Sequence, residues 1–155
     1  MKFPALIALL LSGLAATAQA GVVACPDLAS AVQVATCPSE DELRYTFKGY
    51  CSDNSRLYDK DVDTSLCVKY ENYRERKNIA LWESPDGAFS GYLSCDLNAD
   101  AIKAAKPLKL EIARKSGMTR VVCTYGQDIT LTHRTRSVCK PAGACGSDGC
   151  SATCE

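Results

Sequence analysis

The chain has 155 residues, with 18 basic and 18 acidic side chains, ten cysteines and one histidine. A single histidine excludes catalysis by a histidine pair and metal sites built from several histidines. The even number of cysteines and the absence of a C-x-x-C motif favour disulfide bonds over reactive thiols or a zinc site.

The first 20 residues have the three parts of a secretory signal peptide. Lys2 supplies a positive charge, residues 4–14 are an apolar run, and residues 18–20 form an A-x-A cleavage site. The apolar run is shorter than the roughly 20 residues that a membrane-spanning helix needs. We therefore expect cleavage after Ala20 and a secreted or periplasmic mature chain.

A second processing signal competes with this interpretation, because residues 22–25 resemble a bacterial lipobox that ends at Cys25. Lipidation would remove Cys25 from pairing and leave an odd number of cysteines. A lipobox also normally abuts the apolar run, whereas here residues 17–21 intervene. The unlipidated form is the prediction that we favour.

Five disulfide bonds would restrict the unfolded chain and protect the domain against heat and proteolysis. Spacing alone does not determine which cysteines pair. The predicted disulfide partners are Cys25, Cys37, Cys51, Cys67, Cys95, Cys123, Cys139, Cys145, Cys150 and Cys154.

The N-terminal half of the mature chain contains three predicted elements. Residues 25–36 have apolar positions at helical spacing and predict a short helix, whereas residues 43–50 alternate between apolar and polar and predict a strand. A polar, aspartate-rich loop is expected over residues 52–65. Residues 68–77 then predict a second helix.

The next elements are a hairpin, a helix and three further strands. Residues 78–83 and 88–97 predict the hairpin, because the sequence Ser-Pro-Asp-Gly at 84–87 favours a turn. Asn98 is suited to cap a helix over residues 99–106. The remaining predicted strands, which short turns join into an antiparallel β-meander, are 108–114, 118–125 and 129–134.

This order of elements predicts an α+β fold for one domain over residues 21–140. We expect a single antiparallel sheet with a C-terminal β-meander and two or three short helices, stapled by disulfides. Residues 141–155 are expected to form a cysteine-rich tail without regular structure.

The net charge near zero conceals an uneven distribution. Residues 21–100 carry eight basic and fourteen acidic side chains, whereas residues 101–140 carry nine basic and two acidic ones. The basic half can attract an acidic or phosphate-bearing ligand or an anionic surface. The alternative is that the two halves neutralise each other across one compact domain.

One catalytic set can be assembled from the predicted strands, namely Glu83, Arg120 and His133. Small secreted microbial ribonucleases use a carboxylate to take a proton, an arginine to steady the phosphate and a histidine to protonate the leaving oxygen. The chain resembles those enzymes only in these residue types and their order. The hypothesis requires the three side chains to converge.

A calcium site is a second chemical hypothesis, because Asp59, Asp61 and Asp63 have the spacing that opens a calcium-binding loop. The match ends there, since the sixth position is Thr64 and the twelfth is Tyr70. We therefore expect a solvated acidic loop and no metal.

Tyrosine and arginine are the residue types that contribute most to protein interfaces. We expect Trp82 and Tyr92 to face each other across the hairpin and to lie mostly in the core. The predicted contact residues are Tyr58, Arg120, Arg134 and Arg136.

The sequence therefore favours a secreted or periplasmic binding protein without catalysis, of the effector, inhibitor or recognition type. It offers one histidine, no spare thiol, no G-x-S-x-G elbow and no glycine-rich phosphate loop. One alternative is a small secreted hydrolase, in particular a ribonuclease, and another is a stable envelope protein without a ligand. We expect a monomer without a cofactor, and a partner that is a protein or a component of an envelope or host surface.

Overall fold

The computed structural model describes residues 21–55, 63–126, 128–146 and 149–155. The helices in these ranges are α1 (Glu40–Cys51), α2 (Tyr70–Lys77) and α3 (Ala99–Ala104). The strands are β1 (Gly21–Ala24), β2 (Val32–Gln33), β3 (Ile79–Glu83), β4 (Ser90–Ser94), β5 (Lys109–Lys115), β6 (Met118–Gly126), β7 (Ile129–Thr135), β8 (Cys139–Pro141) and β9 (Ser151–Cys154). These elements confirm the predicted α+β class.

The larger of two antiparallel sheets has six strands in the order β2-β3-β4-β7-β6-β5. It contains the predicted hairpin, β3–β4, and the predicted meander, β5–β6–β7. The two parts meet where Ser90 of β4 pairs with Thr132 of β7. Gly91 permits this close approach, because a Cβ atom there would run into the Thr130 carbonyl oxygen.

One face of this sheet forms the hydrophobic core. Trp82, Leu93 and Leu131 point to that face and are buried. Ile102 of α3 and Leu28 of a short 3₁₀ turn cover them from above and are also buried. The alternation of buried and exposed positions along β3, β6 and β7 follows from this one-sided burial.

The second sheet has three strands in the order β1-β9-β8 and joins the two ends of the described chain. It packs on the same face of the larger sheet, where Ala152 and Cys154 contact Val121. The expectation of a tail without regular structure is therefore wrong. The tail is short and rich in small residues, and its strand partner β1 lies at the far end of the sequence.

Two predicted elements of the N-terminal half are also corrected. Residues 43–50 belong to α1, which begins with a capping box between Ser39 and Glu42. Residues 25–36 contain only the 3₁₀ turn Leu28–Ser30 and strand β2 instead of a helix. Among the described residues, no helix is long and apolar enough to cross a membrane.

All ten cysteines are paired, as predicted. The pairs are Cys25–Cys123, Cys37–Cys95, Cys51–Cys67, Cys139–Cys154 and Cys145–Cys150. In this pairing the sulfur atom of Cys25 is bonded to that of Cys123. The unlipidated form stays a prediction.

We predict that removing the Cys25–Cys123 bridge destabilises the protein more than removing Cys51–Cys67. The first closes a sequence separation of 98 residues and the second one of 16. Chain entropy assigns about 4.7 kcal/mol to a loop of 100 residues and about 3 kcal/mol to one of 15.

Guanidinium unfolding of the paired alanine variants C25A/C123A and C51A/C67A, without reductant, measures this difference. Equal losses of unfolding free energy in the two variants would contradict this dependence on loop length.

Candidate functional site

The sheet face opposite the core consists of half-buried and exposed side chains in the described part of the chain. The register places Glu83 beside Ser90, Ser90 beside Thr132, and Thr132 beside Val122, so these side chains share that face. We call the whole surface the open face, and none of its members is buried. Its members are Val32, Ile79, Leu81, Glu83, Ser90, Tyr92, Ser94, Lys109, Glu111, Ala113, Arg120, Val122, Thr124, Thr130, Thr132 and Arg134.

The predicted catalytic set does not converge. Glu83 and Arg120 lie on the open face, but their strands are three positions apart, ~14 Å at the usual spacing. His133 is opposite buried Val121 and therefore points to the other face. Its ring lies 5.3 Å from the Phe89 ring, and its Nδ1 donates to the Ala88 carbonyl oxygen at 2.8 Å.

These contacts give His133 a role in holding the β3–β4 turn against β7. The sheet itself separates the imidazole from the Glu83 carboxylate. The geometry therefore offers no support for the ribonuclease hypothesis.

Two of the predicted contact arginines are brought together. Arg120 and Arg134 are exposed and directly opposite each other on neighbouring strands, an arrangement that is unfavourable for like charges. Among the described residues neither has an ion-pair partner, whereas Lys109 and Glu111 on the same face neutralise each other at 2.8 Å. Among the described residues, no ion pair therefore neutralises the positive charges of Arg120 and Arg134, while Glu83 contributes a negative charge elsewhere on the open face.

The remaining predicted site residues are distributed as follows. Tyr58, Asp59 and Asp61 lie outside the described residues. Asp63 caps a 3₁₀ turn, and hydrogen bonds from the hydroxyl and backbone N–H of Ser65 lower the pKa of its carboxyl group. Arg136 is exposed just beyond β7.

Tyr92 is exposed, although the sequence predicts it in the core. Tyr92 is opposite Leu81 on the open face and is 68% exposed, whereas Trp82 is opposite Gly91 and buried in the core. The expectation that the two rings face each other is therefore wrong. Consecutive residues of a strand point to opposite faces of the sheet. The pairing of Leu81 with Tyr92 therefore puts Tyr92 on the face opposite Trp82, and this pairing is the information that the sequence prediction lacked.

A polar network attaches the helical layer to one end of the sheet. Arg74 of α2 makes a bidentate contact with Asp96 at 2.8 and 2.9 Å, and its Nε lies 3.4 Å from Glu40 of α1. Asn78 donates to the same Asp96 carboxylate at 3.0 Å. The hydrogen bond from Arg74 lowers the pKa of the Asp96 carboxyl group most. The positive charge of Arg74 and the hydrogen bond from Asn78 lower it further.

Comparisons with protein-family models, curated proteins and solved structures find no match for this chain.

We predict that Asp96→Asn destabilises the protein at neutral pH and that the difference from the wild type disappears in acid. Because the pKa of the Asp96 carboxyl group is lowered in the folded protein, its ionised form stabilises the fold at pH values above the ordinary pKa of about 3.9. This stabilisation is lost as the pH falls through the folded-state pKa. Thermal unfolding between about pH 2 and pH 7 measures the difference. A gap between the two proteins that stays constant with pH would contradict the assigned role of the carboxylate.

Proposed function

We propose that the chain is a secreted or periplasmic binding protein that works without catalysis and recognises an acidic protein surface through its open face. Effector, inhibitor and recognition proteins are the classes in which such a surface would serve. The observation that carries the proposal is the contrast between the two faces of the six-stranded sheet, of which the described residues cover only one.

The composition of the open face supports binding to another protein. Tyr92, Leu81 and Val122 supply apolar and aromatic area near its middle. Tyrosine and arginine are the residues that most often dominate protein–protein affinity. Serine and threonine hydroxyls of β4 and β7 surround this centre and can form hydrogen bonds with a partner.

The positive charge of two arginines on the open face supports an acidic partner. The opposed guanidinium groups of Arg120 and Arg134 can each bind a carboxylate in a bidentate manner. A partner carboxylate between them would relieve the repulsion that the pair experiences in the free protein. Partner binding would therefore give these two arginines a counter-charge that the described residues do not provide.

Five disulfides support a location outside the reducing cytosol, where such bonds persist. The predicted signal peptide points to the same setting. A protein that works there without protection benefits from covalent cross-links.

We predict that R120E/R134E abolishes partner binding while K103E/K140E retains it. Both double variants change the net charge equally, and all four positions are exposed. The first variant also keeps two like charges opposite each other, so the fold should lose no additional stability. The two variants therefore differ in the face that they alter.

Immobilised oxidised protein, its two variants and extracellular material from its natural source provide the test. A partner retained by the wild type and by K103E/K140E, but reduced at least tenfold by R120E/R134E, is the expected result. Equal retention by all three proteins, or capture of phosphate-bearing material in place of an acidic protein, would contradict the proposal.

A further inference from the structure

The two edges of the six-stranded sheet differ in length. β2 forms one edge and has two residues, whereas β5 forms the other and has seven. Among the described residues, β5 pairs with β6 alone, and no backbone hydrogen bond reaches its outer side. None of the side chains of β5 is buried. A long strand with an open outer side is a template on which another strand can pair.

The direction of one hydrogen bond identifies the free backbone groups of this edge. The N–H of Leu108, just before β5, donates to the Thr124 carbonyl oxygen of β6 at 2.8 Å. Because backbone groups alternate in direction along a strand, the even-numbered residues of β5 also point their N–H and C=O groups to β6. The N–H and C=O groups of Lys109, Glu111 and Ala113 therefore point outward.

Apolar side chains line the core side of the same edge. Leu108 is 65% exposed, and Leu110 and Ile112 are half-buried against the small sheet. A strand that paired with β5 would remove part of this apolar surface from water, which is favourable.

The charges on the opposite side of the edge do not prevent such pairing. Lysine on an edge strand usually discourages it. Here the Lys109 ammonium is neutralised by the Glu111 carboxylate at 2.8 Å. The two charges lie two residues apart along β5 and have opposite signs, so they can also be satisfied by the same two residues of another copy.

The strand is complementary to itself in one antiparallel register. A two-fold axis at Leu110 places Lys109 opposite Glu111 of the second copy, and the reverse. On the core side it places Leu108 opposite Ile112 of the second copy. Opposite charges and apolar pairs directly across two strands are stabilising. The outward N–H and C=O groups of residues 109 and 111 then meet those of residues 111 and 109.

Neighbouring registers are less favourable. Moving the axis by one residue in either direction puts Lys109 or Glu111 opposite its own copy. A shift of two residues toward the C-terminus puts Lys109 opposite Lys115, and a shift of three puts Ile112 opposite Arg114. Like charges directly opposite each other are destabilising. The sequence of β5 therefore selects the register centred on Leu110.

We propose that two copies of the chain associate through β5 in this register, so that one sheet continues across the dimer. The self-complementary pattern selects a second copy of this chain over an unrelated strand. A dimer of this kind replaces the monomer that the sequence analysis expects. It leaves the open face of each copy uncovered and does not depend on the proposed recognition of an acidic partner.

Sedimentation equilibrium of the oxidised protein over a range of concentrations is the first test. We expect the wild type to approach twice the mass of one chain. K109E and E111K each place like charges opposite each other across the dimer, so each should raise the dissociation constant roughly tenfold. The exchange variant K109E/E111K re-forms both pairs and should associate like the wild type.

An equimolar mixture of the K109E and E111K proteins tests the register itself. One protein carries two glutamates at positions 109 and 111 and the other two lysines, so their charges match only between unlike copies. We expect the mixture to associate at least as tightly as the wild type. A loss of folding in either variant cannot produce this result, because mixing does not restore a fold.

Leu108→Lys provides an apolar variant, and Val22→Lys is its matched control. Val22 is 72% exposed on β1, an edge of the small sheet. Leu108→Lys should weaken association roughly tenfold, because it puts an ammonium opposite Ile112 of the second copy. Val22→Lys should leave association unchanged.

Three results would overturn the proposal. They are a wild-type protein that stays monomeric up to about 1 mM, a K109E and E111K mixture that associates no better than either protein alone, and a loss of association in Val22→Lys. Amide hydrogen exchange gives a further readout. The Glu111 amide should become protected as the concentration rises, whereas the Ile112 amide, which points to β6, should be protected at every concentration.

Discussion

The Cys25–Cys123 disulfide joins the segment that follows β1 to β6, the strand next to the β5 edge of the six-stranded sheet. Cys123 is fully buried on the core face, and the backbone N–H of Cys25 also donates to the Cys150 carbonyl oxygen at 2.8 Å. The bond thereby holds the small sheet against one side of the large one. Within the described part of the chain, the elements that cover the large sheet lie on that side, and none covers the other side.

This one-sided arrangement connects the fold to the proposed function. A covered face accounts for the stability of the domain, because the apolar side chains of β3, β4, β6 and β7 are buried there. The uncovered face consequently carries residues that the core does not need, including Tyr92 and the opposed arginines Arg120 and Arg134. Recognition can therefore evolve on that face with little effect on packing.

The sequence predicted those elements whose partners are close along the chain. The β3–β4 hairpin and the β5–β7 meander follow from turn residues and alternation. Helix α1 was mistaken for a strand because Leu43 and Phe47 fit both periods, although Ser39 and Glu42 already had the spacing of a capping box. The tail strand β9 was missed because its partner β1 is more than 100 residues away.

The arrangement of the candidate site also depends on strand pairs that are distant along the chain. The separation of Glu83 from His133 follows from the pairing of Ser90 with Thr132, which the local sequence pattern does not predict.

Hydroxyl-radical footprinting, with and without the captured partner, tests the two-faced sheet most directly. The account predicts a reactive Tyr92 and a protected Trp82 in the free protein, and protection of Tyr92 in the complex. A reactive Trp82 in the free protein, or a Tyr92 whose reactivity the partner leaves unchanged, would contradict it.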